Sequence, residues 1–137
     1  MAAATSSGQR PVLALAMGDP AGVSPELTAK LLADPAIRDA AHLVVFGDRR
    51  VLAMGESHAG LTLDIPVVAT APAPGHVSET TFVDLAHFDP ADIVLGEISE
   101  AGGASAIANF RAALKYAVAG GAGAVTFTPF NKAAMRL

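Results

Sequence analysis

Two short segments carry the side chains whose types and spacing can do chemistry. The first, Gly18-Asp19-Pro20-Ala21-Gly22-Val23-Ser24-Pro25-Glu26, joins a carboxylate and two glycines to a Ser-Pro-Glu helix start. The glycines let backbone approach a ligand closely, and the free N–H groups at the start of a helix attract an anion. The second, Thr128-Pro129-Phe130-Asn131-Lys132, sets an amide beside an ammonium in a nearly uncharged stretch. A lysine so placed can hold a phosphate or carboxylate as a point charge. The candidate cleft residues are therefore Asp19, Gly22, Asn131 and Lys132. Each has a plainer role open to it. Asp19 can brace its own loop by accepting backbone N–H bonds, and Asn131 can cap a surface helix that leaves Lys132 in solvent.

Other chemistries find little support. No Lys-Ser or Lys-Thr follows Gly22 where a triphosphate loop needs it, and no G-x-G-x-x-G is present. Gly120-Gly121-Ala122-Gly123 follows a helical pattern and precedes a strand, the reverse of dinucleotide binding, so it reads as a helix terminator. His42, His58, His76 and His87 show no helical metal spacing. The absence of cysteine excludes disulfides, thiolate zinc sites and Cys nucleophiles, and fits a reducing cytosol. No general base is assigned, and no metal ligand set is expected within this chain.

The elements that must position the two segments are legible in the apolar runs. Val12-Leu13-Ala14-Leu15-Ala16-Met17 reads as a strand buried on both faces, ended by Gly18-Asp19-Pro20. Ser24 as N-cap, with Pro25 in the first turn, predicts a helix carrying Leu27, Leu31 and Leu32 that stops near Asp34-Pro35. Leu43-Val44-Val45-Phe46 is a second strand closed by Gly47-Asp48, so strand, helix, strand implies a parallel sheet with a right-handed crossover. Over 55–96 prolines break the pattern, leaving strands around 65–68 and 82–85. Ile107, Phe110, Leu114 and Val118 recur at helical spacing and predict a helix over 104–119, followed by a strand over 124–128 and the start of a last helix at 131–135. Ligands bind at the carboxyl edge of parallel strands, and both polar segments follow strands directly, so both should open on one edge.

The 137 residues suffice for one domain with a core, and 52% hydrophobic against 16% charged content predicts a folded chain. A net charge of -4 with scattered basic residues and few aromatics argues against nucleic acid. The small polar residues 1–10 read as a flexible tail, and the apolar run after them is short of a signal core or membrane span. Residues 11–137 read as an incomplete α/β domain, because the chain stops in mid-pattern at Met135-Arg136-Leu137. A shortened enzyme is the expectation; the alternative is a non-catalytic α/β binding module.

Met17-Gly18-Asp19-Pro20-Ala21-Gly22-Val23-Ser24-Pro25-Glu26 resembles the opening signature of the 4-hydroxythreonine-4-phosphate dehydrogenases and their sugar-acid relatives. The resemblance continues through Val45-Phe46-Gly47-Asp48, Gly103-Ala104-Ser105-Ala106 and Thr126-Phe127-Thr128-Pro129-Phe130-Asn131-Lys132. It departs at Ser24, where the family more often has glycine, and at Phe127 and Phe130, which replace smaller residues. It implies an α/β fold with a partly parallel sheet flanked by helices, the N-terminal part of an isocitrate/isopropylmalate dehydrogenase-like architecture. It further implies NAD and a divalent metal (zinc, magnesium or cobalt) in the full-length enzyme, a small phosphorylated substrate, a homodimer and a cytoplasmic location. The implied reaction oxidises a phosphorylated hydroxy acid of the 4-hydroxythreonine 4-phosphate type, with decarboxylation able to follow. The same fold acting on threonate or erythronate 4-phosphate, or on an aromatic dihydrodiol, is the enzymatic alternative.

Overall fold

The computed structural model describes residues 9–137; most of the expected tail, 1–8, lies outside the described residues. Gln9 and Arg10 are exposed and without regular structure. Five strands form one sheet in the order β3-β4-β2-β1-β5: β1 (Val12–Ala16), β2 (His42–Gly47), β3 (Val67–Val68), β4 (Thr81–Asp84) and β5 (Ala124–Phe127). Every pairing is parallel, which sharpens the partly parallel expectation. Leu13 pairs with Leu43 on one side and with Ala124 on the other, so β1 lies inside the sheet.

Alternation along β1 divides the core between the two faces of the sheet. Leu15 and Met17 join Val45 and Phe82 beneath the helices α1 (Ser24–Ala33) and α3 (Arg49–Ala59), through Leu32 and Leu52. Ala14 and Ala16 join Val44, Phe46 and Val83 on the other face, against Phe110 and Ala113 of α4 (Glu100–Val118). A strand covered on both faces has no polar side, which is why β1 is apolar throughout and β2 is apolar from Leu43 to Phe46.

The helices follow their punctuation with two corrections. The predicted cap Ser24 is instead the first residue of α1; Val23 holds the cap position without a side-chain bond, and the Ser24 hydroxyl is engaged elsewhere. Helix α4 begins at Glu100 and not at 104, because Ser99 caps it by accepting from the Gly102 amide at 3.0 Å. Two further helices have no counterpart in the sequence reading. In α2 (Pro35–Ala40), Asp34 caps the helix by accepting from the Ala36 amide. Asp48 does the same for α3, which ends at Gly60 in the left-handed conformation, φ 69°. Gly55 interrupts the apolar pattern of α3, and it is required there because a side chain would collide with the Pro25 carbonyl of α1. The last helix, α5 (Lys132–Met135), packs on α4 so closely that a methyl on Gly103 would strike the Ala134 carbonyl.

Candidate active site

Because the strands are parallel, the segments leaving β1, β2, β4 and β5 emerge on one edge, and those from the neighbours β1 and β5 touch. The Asp19 amide donates to the Pro129 carbonyl at 2.9 Å, and the Gly18 amide donates to the Thr128 hydroxyl at 3.0 Å and to the Ser24 hydroxyl at 2.8 Å. A methyl group on Gly18 would collide with the Pro129 and Thr128 carbonyls. The two polar segments are thus one continuous surface, joined through residues 18–19 and 128–129.

Within it the four named residues play distinct parts. Asp19 turns its carboxylate onto its own loop, where Oδ1 accepts from the Ala21 amide at 2.9 Å, while the Gly22 amide returns to the Asp19 carbonyl at 3.2 Å. Gly22 is exposed, with the Asp19 carboxylate as its nearest neighbour. The same carboxylate lies near Gly102 in the first turn of α4, whose positive end favours a negative group. Asn131 caps α5, its Oδ1 accepting from the Ala134 amide at 3.1 Å. Lys132 is exposed and forms no ion pair with a described residue. Asp19 and Asn131 therefore take the bracing and capping roles that sequence left open, while Lys132 leaves a cation free at the rim.

Sequence reasoning missed the polar groups behind this surface. Thr128 also accepts from the Thr28 hydroxyl at 3.2 Å and bonds to Ser24, so three buried hydroxyls meet under the loop junction. Asn109 of α4 donates from Nδ2 to the Met17 carbonyl at 3.0 Å, and its buried Oδ1 finds no partner among the described residues. Beyond β2, Asp48 is buried and receives the amides of Arg50 and Phe88 and the Arg50 guanidinium. Burial pushes this carboxyl up, but the Arg50 guanidinium and the two amides outweigh burial and hold it below its ordinary value of 3.8. The signal was present: Gly-Asp follows a buried strand at 18–19 and again at 47–48.

At this edge a hollow of about 350 Å³ opens between the β4 exit and α4, lined by His87, Phe88, Asp92, Ala101, Ser105 and Ala108 among others. A larger hollow of about 550 Å³ lies at the opposite edge, near Arg10, Val12 and His42. Open α/β sheets take ligands at the carboxyl ends of their strands, so the smaller hollow has the better position. Among the described residues no three His, Asp or Glu side chains gather closely enough to hold a metal ion.

Residues 39–137 match the family described as pyridoxal phosphate biosynthetic protein PdxA. The chain belongs to the PdxA family. It is 59% identical, over 93% of its own length and 37% of the relative's, to a Rhizobium meliloti (strain 1021) protein provisionally named 4-hydroxythreonine-4-phosphate dehydrogenase 2. It is 36% identical, over 93% and 38%, to a Symbiobacterium thermophilum protein provisionally named D-threonate 4-phosphate dehydrogenase. A crystal structure of a 4-hydroxythreonine-4-phosphate dehydrogenase from Burkholderia phymatum superposes with a TM-score of 0.79 at 26% identity, covering 93% of this chain and 39% of that one. The chain thus spans somewhat over a third of the length of the PdxA relatives it matches, and its fold is the isocitrate dehydrogenase-like α/β fold of these dehydrogenases.

Proposed function

We propose that this chain forms one wall of the active-site cleft of a dehydrogenase that oxidises a four-carbon hydroxy acid 4-phosphate, of the 4-hydroxythreonine or threonate type. The observation that carries the reading is the joining of the Asp19 loop to the Asn131-Lys132 loop at the carboxyl edge of the sheet, with Lys132 exposed beside it. Names given to relatives at 59% and 36% identity support the same substrate class. In this reading Lys132 holds the anionic end of the substrate, and the exposed Gly22 backbone lets it lie close to the start of α1. Asp19 braces the turn that presents both.

NAD accepts the hydride in the proposed reaction, and decarboxylation of the product can follow. The donor set among the described residues does not fit a divalent metal, so we place any metal ligands in the remainder of a longer polypeptide. Assembly as a homodimer and a cytoplasmic location belong to the same proposal; among the described residues no helix is long and apolar enough to cross a membrane. The test is a chimaera in which this chain replaces the matching segment of the Rhizobium meliloti protein. NADH formation with 4-hydroxythreonine 4-phosphate or threonate 4-phosphate, and none with their unphosphorylated forms, is the expected result. Equal rates with and without the phosphate would overturn it.

A further inference from the structure

We infer that Thr128 is a positioning residue whose hydroxyl sets the spacing of the two cleft loops and so tunes substrate affinity without touching the substrate. The inference rests on the cleft assignment above and names the group that holds its two halves together. Thr128 is 2% exposed and directly follows β5, one residue before the carbonyl that receives the Asp19 amide. A hydroxyl has one proton to give and two lone pairs to accept with. Thr128 accepts from the Gly18 amide and from the Thr28 hydroxyl, which leaves its own proton for Ser24. Its hydrogen-bonding capacity is then fully used inside the protein, and none is left for a ligand.

The partners show what the hydroxyl joins. Gly18 begins the Asp19 loop, while Ser24 and Thr28 occupy the first two turns of α1, the helix that leaves that loop. Thr128 and Pro129 lead into the Asn131 cap and Lys132. One oxygen thus ties the start of one loop, the helix behind it and the root of the other loop. Ser24 gives a second sign of purpose. It stands beside an N-cap position that no side chain fills, yet its hydroxyl is turned into this junction. Buried polar groups of this kind are costly unless satisfied, and once satisfied they specify one arrangement.

The test compares Thr128→Val, which keeps the shape and removes the hydroxyl, with Thr128→Ser, which restores it. In the chimaera described above, Thr128→Val should raise the KM for the phosphorylated substrate by about tenfold or more, with a smaller change in kcat. Thr128→Ser should return KM to within about twofold of the starting protein, as retention of the hydroxyl predicts. In the 137-residue chain, Thr128→Val should speed hydrogen exchange at the Gly18 and Asp19 amides, which bond to Thr128 and Pro129, while that of the central β2 amides is unchanged. Unaltered KM in a folded Thr128→Val protein overturns the inference, as does equal loss in the Val and Ser variants. Should Thr128→Val fail to fold, Ser24→Ala removes a single arm of the junction, and unchanged KM and Gly18 exchange in that variant overturn it equally. If the unmutated chimaera oxidises no phosphorylated substrate, the functional reading fails, while the exchange comparison still decides the role of Thr128.

Discussion

Gly18 packs so tightly against Pro129 that even one methyl group on it would occupy the space of the Pro129 carbonyl oxygen. Two loops over a hundred positions apart are therefore fitted to each other at backbone level, before any side chain contributes. Gly18→Ala should destabilise the chain by about 2–3 kcal/mol, the upper range for overpacking where backbone cannot yield. Urea denaturation followed by circular dichroism measures it, and a midpoint equal to that of the unmutated chain would show that the loops separate freely.

Lys132 contributes charge at the rim and no described ion pair, so its removal should separate function from stability. Lys132→Met in the active chimaera should lower kcat/KM by roughly 10- to 100-fold, the loss expected for one hydrogen bond to a charged group. The melting temperature should hardly move. Unchanged kinetics would return Lys132 to the role of a surface helix residue.

Asp48 makes acid stability a local question. Its folded pKa lies below the ordinary 3.8, so its contribution is fully present above that value and is lost as pH falls through the folded value. Replacing the carboxylate with an amide removes that dependence. Asp48→Asn should cost on the order of 2 kcal/mol at pH 7, as for a hydrogen-bonded charged group, and this deficit should shrink below pH 4. Denaturation midpoints from pH 7 to 2.5 test this, and parallel curves for the two proteins would rule it out.

The 137-residue chain alone should neither bind zinc or magnesium with defined stoichiometry nor reduce NAD. Its histidines are scattered, and no acidic group completes a ligand set with them among the described residues. Calorimetric titration with each metal and an absorbance assay for NADH are sufficient. A stoichiometric binding isotherm would mean that a complete site exists within these residues.

At the sheet edge, Phe127 is 53% exposed and stacks on Phe130 at 4.6 Å, with Phe110 edge-on to both. An apolar patch beside an open strand favours self-association. Phe127→Lys should lower the sedimentation coefficient of concentrated samples; no change would place any association elsewhere.

The parts of the fold legible in sequence were those whose local residue pattern marks the element by itself. Strands β1 and β2 are apolar because both their faces are covered, whereas β5 is apolar although mostly exposed. The spacing of Ile107, Phe110, Leu114 and Val118 found α4 but not its buried face, since Leu114 and Val118 are exposed and Ala106, Asn109 and Ala113 are buried instead. Helix α3 was hidden because Gly55 and flanking charges break its stripe, and the reason for that glycine is the Pro25 backbone of another helix, which no local window contains. That the two polar segments share one edge was readable from the rule that parallel strands gather their carboxyl ends. The hydroxyl junction was not, since Ser24 looks like a helix cap until Thr128 is brought beside it.

The order of the strands has a consequence for how the chain comes into being. β1 is the first of the described strands to be made, yet its outer neighbour β5 begins at Ala124, opposite Leu13. At synthesis rates of about 5–20 residues per second, that partner follows β1 by roughly 5–20 s. Throughout that interval one edge of β1 has no strand beside it and the Gly18 amide has no Thr128 to meet. A sheet dominated by such distant pairings folds slowly after the last partner arrives. Until β5 emerges, the nascent polypeptide therefore presents an apolar strand edge to chaperones and to neighbouring ribosomes.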